Sequence, residues 1–207
     1  MEKKTDIKIM LKEAAILLII TVIAGLMLGF VHELTRENIE KQELMAIEAA
    51  CREVFDQAAS FEETSYFLSE ELTGSLAENG VTIGKVYHAL DGAGELLGYI
   101  VESASSEGYS GTIDLYIGIT KDGRLNGVSI LEINETVGLG MEAGNVLVPQ
   151  FAAKKAQIFT YTKTGSTADS EIDAISGATR TTKAVVNAVN GGILAADELS
   201  KGGVLNE

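Results

Sequence analysis

From Ala14 to Val31 no residue carries a charge, and the run AAILLIITVIAGLMLGFV is apolar on every side. As a helix it would be roughly 27 Å long at ~1.5 Å per residue, close to the hydrocarbon thickness of a bilayer. The pattern predicts a membrane-spanning helix over residues 14–32. A cleavable signal peptide would have a shorter apolar stretch and a small-residue cleavage site, and neither is well matched here. After the run the pattern becomes amphipathic. Ile39, Leu44, Ile47, Cys51, Val54 and Phe55 recur at helical spacing, with Glu37, Glu40, Lys41, Glu43 and Arg52 on the other side. This predicts a juxtamembrane helix over 33–60, stiffening the link to whatever follows.

Residues 61–79 are acidic and show no clear period, so no element is assigned to them. The chain then turns strand-like. Val81–Leu90 alternates loosely, Asp91-Gly92-Ala93-Gly94 supplies turn residues, and Glu95–Glu102 returns. Gly111–Thr120 and Leu125–Ile133 form a second pair around Lys121-Asp122-Gly123-Arg124. Residues 146–156, around the only proline, Pro149, suggest a short helix, and 157–162 a further strand. Thr181–Leu199 has hydroxyl residues at its start and an apolar face, the pattern of a capped helix. The expected fold class is α+β: a transmembrane helix, then a domain over 61–207 with an antiparallel sheet of four strands and the helices on one side of it.

Charge adds an orientation. Lys3, Lys4, Lys8 and Lys12 precede the apolar run, which by the positive-inside bias puts residues 1–13 in the cytoplasm and the domain outside it, anchored in the plasma or inner membrane. Of 16 Lys+Arg and 30 Asp+Glu, those first 13 residues hold 4 and 3, leaving 12 against 27 beyond. Such acidity, without a basic stripe or interleaved aromatics, excludes a nucleic-acid surface. The single cysteine, Cys51, excludes an internal disulfide and a Cys-rich metal cluster, and suits a small packing residue. His32 and His88 are too few and too separated for a metal site, so no metal ligand is assigned.

Two short stretches carry candidate chemistry. Ser176-Gly177-Ala178-Thr179 is small and flexible and precedes the last helix, so the Thr179 hydroxyl is presented with little obstruction. A phosphate there would meet the unpaired first N–H groups of that helix. The same residues also suit an ordinary capped turn. After the fourth strand, Glu135-Thr136-Val137-Gly138-Leu139-Gly140 lets the backbone approach a partner closely, or is simply a glycine-rich turn. It is no dinucleotide fingerprint, since it neither opens a helix nor sits in a βαβ unit. Tyr109, in Gly108-Tyr109-Ser110-Gly111, reads as a turn aromatic over the sheet edge.

Taken together and in order, the anchor, Gly108-Tyr109-Ser110-Gly111-Thr112-Ile113, Asp122-Gly123, Glu135-Thr136-x-Gly138-Leu139-Gly140 and Asp173-x-x-Ser176-Gly177-Ala178-Thr179 resemble the FMN-binding domain of G subunits of Rnf complexes, membrane-bound ferredoxin–NAD oxidoreductases. The C subunit of the sodium-pumping NADH–quinone oxidoreductase shares that domain. The resemblance implies an electron-carrier subunit, not catalytic alone, with FMN joined by a phosphoester to Thr179. A flavin transferase would install it from FAD, recognising Asp173, Ser176, Gly177 and Ala178. The implied cofactor-binding residues are Glu135, Thr136, Leu139, Gly140, Ser176, Gly177, Ala178 and Thr181. The implied partners are the other membrane subunits of the complex, the transferase during maturation and the lipid bilayer. The family segment usually reads E-T-P-G-L-G, whereas Val137 stands here in place of the proline. Two alternatives stay open: the quinone-reductase subunit, and a membrane-tethered binding or sensory module without flavin.

Overall fold

The computed structural model describes residues 2–202. The chain divides into two compact units, 1–45 and 46–207. One helix, α1 (Glu2–Val54), supplies the first unit and opens the second. Within it, Met10–Arg36 is long and apolar enough to cross a membrane, and its side chains are exposed, as a lipid-facing surface requires. The helix runs on through 33–54 without a break and stops at Val54, short of the 33–60 expected from the pattern.

The second unit is built on five strands paired antiparallel in chain order: β1 (Ser60–Thr64), β2 (Val81–Leu90), β3 (Leu96–Ser105), β4 (Ile113–Thr120) and β5 (Leu125–Ile133). The first strand and α2 (Glu70–Glu78) occupy the segment that showed no period. Strand β1 is short, mostly exposed and at the sheet edge, so it carries no apolar alternation. Helix α2 is only nine residues long, with the Ser69 hydroxyl accepting from the Leu72 N–H at 3.2 Å as its cap.

The expectation of helices on one side of the sheet is corrected. Alternate positions across the strands face opposite ways. Val86, Val101, Ile117 and Val128 are register neighbours on one face and are buried against the last helix, α5 (Thr179–Gly202). On the other face, Tyr87, Ile100 and Tyr116 are buried with Ala50, Cys51, Val54 and Phe55 from the end of α1 and the turn after it. The row Ile100–Gly118–Gly127 makes the floor for that packing: a Cβ on Gly118 would lie 3.0 Å from Val54 Cβ, and one on Gly127 3.1 Å from Val54 Cα. Two glycines thus let a helix end settle on the sheet.

After β5 come a 3-10 turn at Gly140–Glu142 and two one-turn helices, α3 (Ala143–Val146) and α4 (Val148–Phe151), with Pro149 in the first turn of the latter. Two short strands, β6 (Thr160–Thr162) and β7 (Glu171–Asp173), pair in parallel. The Asn190 side chain of α5 pins the approach to β6, accepting from the Phe159 N–H at 2.8 Å and donating to its carbonyl at 2.9 Å. Helix α5 begins at Thr179, two residues before the hydroxyl pattern suggested.

Candidate functional site

Small side chains bring α5 onto the sheet: Ala184, Val185, Ala188 and Val189 are buried at helical spacing. Its N-terminal end is then fixed locally. Gly177 takes φ +79°, a conformation that favours glycine, and turns the chain into the helix. The Thr182 hydroxyl donates to the Ala178 carbonyl at 3.0 Å and accepts from the Ile175 N–H at 3.2 Å, holding the turn against the helix. The Thr182 N–H reaches the Ala178 carbonyl at 3.0 Å, so the N–H groups of Thr179, Arg180 and Thr181 belong to the unpaired first turn. That end of a helix attracts negative charge.

Facing it is the loop after β5. The Leu139 N–H bonds the Thr136 carbonyl at 3.1 Å and Gly138 has φ +76°, which makes Thr136–Leu139 a type II turn with Val137 at its second position. Val137 is 86% exposed there. Beyond the turn, a Cβ on Gly140 would lie 2.6 Å from the Thr181 hydroxyl oxygen, so only a glycine allows this approach to α5. Leu139 lies along Gly177, its Cδ2 3.2 Å from where a Cβ would stand.

Between these elements is a cleft of about 510 Å³. The 135–140 loop lines it with Glu135, Thr136, Leu139 and Gly140, and the start of α5 with Gly177, Ala178, Thr179 and Thr181. Two further residues line it that the sequence did not single out as ligands. Tyr109 is 67% exposed at the rim, and Arg180 lies on the first turn of α5, its guanidinium donating to the Gly108 carbonyl at 3.3 Å. A cation at a helix N-terminus is locally unfavourable, a departure that would have flagged Arg180 as facing an anion.

Ser176, expected at the cofactor, and Asp173, expected only in transferase recognition, do not line the cleft. Ser176 is exposed on the turn beside it. Asp173 closes β7, and its carboxylate accepts from the Ser166 N–H and, at 3.2 Å, from the Ser166 hydroxyl. Its own N–H donates to the Gln150 side chain at 2.7 Å. No cluster of metal-ligating side chains occurs among the described residues.

The arrangement offers an anion-attracting helix end, a hydroxyl beside it and a partly apolar wall, in a volume within the ordinary range for small-molecule sites, roughly 300–1,000 Å³. Comparison with known proteins points the same way. A family model for an FMN-binding domain matches residues 108–193, which include every residue lining the cleft, and one for the RnfG N-terminal region matches residues 1–54. The chain is 33% identical over 199 residues to the G subunit of the Na(+)-translocating ferredoxin:NAD(+) oxidoreductase complex of Acetobacterium woodii, covering 95% of this chain and 96% of that one. It is 38% identical over 112 residues to the proton-translocating counterpart of Clostridium ljungdahlii, covering 54% of this chain and 60% of that one. Among solved structures, Shewanella oneidensis NqrC is similar at a TM-score of 0.49 and 20% identity, with 72% of each chain covered.

Proposed function

The chain belongs to the family of G subunits of Rnf-type ion-translocating oxidoreductase complexes, and from that premise we propose that it carries FMN in the cleft between the 135–140 loop and α5, esterified at Thr179. It is a single-pass membrane flavoprotein subunit that transfers electrons within an ion-translocating ferredoxin:NAD oxidoreductase, alongside the other subunits of the complex.

The residues suit the cofactor. Its phosphate needs an anion site, which the first N–H groups of α5 and the Arg180 guanidinium supply. Its ring needs a partly apolar wall, which Leu139 and Tyr109 supply, with Thr136 and the backbone around Gly140 adding polar groups. Bound FMN supplies one- and two-electron redox chemistry, and the chain supplies attachment and orientation. Thr179 stands at the first position of α5, half-buried, and lines the cleft. It is an attachment residue with no acid–base duty.

A phosphoester at Thr179 fits a domain on the far side of the membrane from the flavin supply, with Lys3, Lys4, Lys8 and Lys12 holding the N-terminus in the cytoplasm. A flavin transferase recognising Asp173, Ser176, Gly177 and Ala178 would install the group, and the helix over 14–32 would sit in lipid. The quinone-reductase alternative loses ground to the match of the RnfG N-terminal model over 1–54.

The observation that carries the reading is the position of Thr179, on the cleft and at the helix N-terminus together. Mass spectrometry of the tryptic peptide 164–180, from protein co-expressed with a flavin transferase, is expected to show FMN added at Thr179. A yellow protein whose peptide is unmodified would refute the ester, and a colourless protein would refute the flavin site altogether.

A further inference from the structure

Glu135 sits beneath the cleft with its carboxylate already engaged. It is 7% exposed, and its Oε1 accepts from the Tyr109 N–H at 2.7 Å and from the Ser110 N–H at 3.3 Å. Its Oε2 accepts from the Thr181 hydroxyl at 3.1 Å. A buried carboxylate is costly unless donors replace its water, and here two backbone N–H groups and a hydroxyl do so. Those donors come from two separate segments, the loop entering β4 and the first turn of α5. One side chain therefore ties the Tyr109 wall of the cleft to the helix that bears Thr179.

Two glycines make room for the same carboxylate and its neighbours. A Cβ on Gly108 would stand 2.2 Å from the Gly111 carbonyl oxygen and 2.7 Å from Glu135 Oε1, and one on Gly140 2.6 Å from the Thr181 hydroxyl oxygen, 2.8 Å from Glu135 Cβ and 2.9 Å from Oε2. Neither glycine has a positive φ, so each is needed for space and not for turning. Gly108-Tyr109-Ser110-Gly111 and Glu135-Thr136-x-Gly138-Leu139-Gly140, which read as separate turns in the sequence, close around one shared acid.

Resting on the flavin site proposed above, we propose that Glu135 is a positioning residue: its carboxylate clamps the 108–111 loop to α5, sets the separation of the two cleft walls, and places a fixed negative charge under the redox site. Through the clamp it governs how readily the cleft is loaded. Through its charge it disfavours the arrival of electrons next to it and holds the flavin midpoint potential down.

The two effects separate in two variants. In Glu135→Gln the amide oxygen still accepts from Tyr109 and Ser110 and the amide nitrogen donates to the Thr181 oxygen, so the shape survives while the charge goes. In the flavin-loaded fraction of this variant the midpoint potential is expected to shift positive. In Glu135→Ala the donors lose their partner. Hydrogen exchange of the Tyr109 and Ser110 amides in the flavin-free full-length chain is expected to quicken roughly tenfold or more, and flavin attachment to slow.

Should Glu135→Ala not fold, Thr181→Val removes one donor at nearly constant shape and is expected to raise the same amide exchange to a smaller extent. Wild-type exchange at Tyr109 and Ser110 in the alanine variant, or an unchanged potential in the glutamine variant, would overturn the proposal. The exchange measurement needs no flavin, so a wild-type protein that takes up none would sink the flavin site while leaving the clamp to be judged by itself.

Discussion

The ring of Phe55 stands over Gly98: a Cβ on that glycine would come within 2.6 Å of Phe55 Cζ, and within 2.3 Å of the Ile119 carbonyl oxygen and 2.8 Å of Thr120 Cα on the neighbouring strand. Phe55 is 3% exposed, so neither the ring nor the strand can easily withdraw. Overpacking of this kind typically costs about 1–3 kcal/mol. Gly98→Ala is therefore expected to lower the thermal unfolding temperature of the detergent-solubilised protein, followed by near-UV circular dichroism. An unchanged transition would show that neither the ring nor the β4 backbone bears on residue 98.

Val137 occupies the second position of the type II turn Thr136–Leu139, where a proline is favoured because its ring fixes the required φ. The side chain is 86% exposed, so replacing it removes little packing. Val137→Pro is expected to stabilise the domain by about 0.4–1 kcal/mol, chiefly by restricting the unfolded chain. Chemical denaturation at matched detergent concentration measures it, and a lower midpoint would mean that the backbone at 137 is not compatible with proline.

The same two places mark the limits of the sequence. Alternation and turn residues gave four strands, and hydroxyl caps with an apolar face gave the last helix, because those signals are local. The packing of α1 on the second face of the sheet is not local. Its traces were the near-continuous buried runs of β3 and β4 and the glycines at 98, 118 and 127, which mark a sheet covered on both sides. Strand β1 was invisible because an exposed edge strand has no hydrophobic face to read. At the site, Glu135, Thr136, Leu139, Gly140, Gly177, Ala178, Thr179 and Thr181 line the cleft and Ser176 does not, while Glu135 emerges as a buried clamp only once its donors, distant in sequence, are seen together. Tyr109 carries no periodic signal, and chain order alone could not bring it to Thr179, whereas Arg180 follows Thr179 directly and its charge at a helix start was the one signal available.

Cys51 is 1% exposed, in the last turns of α1. Burial pushes its thiol up to about 12, with the negative charges of Glu102 and Glu48 adding to the shift. The thiolate is the reactive form, so the native protein is expected to resist alkylation at pH 8 and to be labelled at once in denaturant. An unfolded thiol ionises near ~8.5, below the folded value. The contribution of Cys51 to stability is thus complete below about pH 8.5 and is lost as the pH rises toward 12. Rapid native labelling by iodoacetamide, read by mass spectrometry, would contradict the buried placement.

Asp173 stands at the acidic position of the proposed attachment motif, yet its carboxylate is bonded to Ser166 within its own loop. Two roles are open to it on that geometry: holding the 166–173 loop in shape, or presenting a charge to the transferase. Ser166→Ala removes the hydroxyl bond at 3.2 Å and keeps the backbone donor and the charge. Asp173→Asn keeps the shape and an acceptor and removes the charge. If the transferase reads the charge, Ser166→Ala is expected to be flavinylated normally. Asp173→Asn is then expected to fall by about tenfold or more, the scale of one lost charge-assisted hydrogen bond. In-gel flavin fluorescence after co-expression with a transferase, with far-UV circular dichroism as the folding control, decides between them. Equal losses in the two variants would assign Asp173 to the loop, and undiminished labelling of Asp173→Asn would remove its carboxylate charge from the recognition motif.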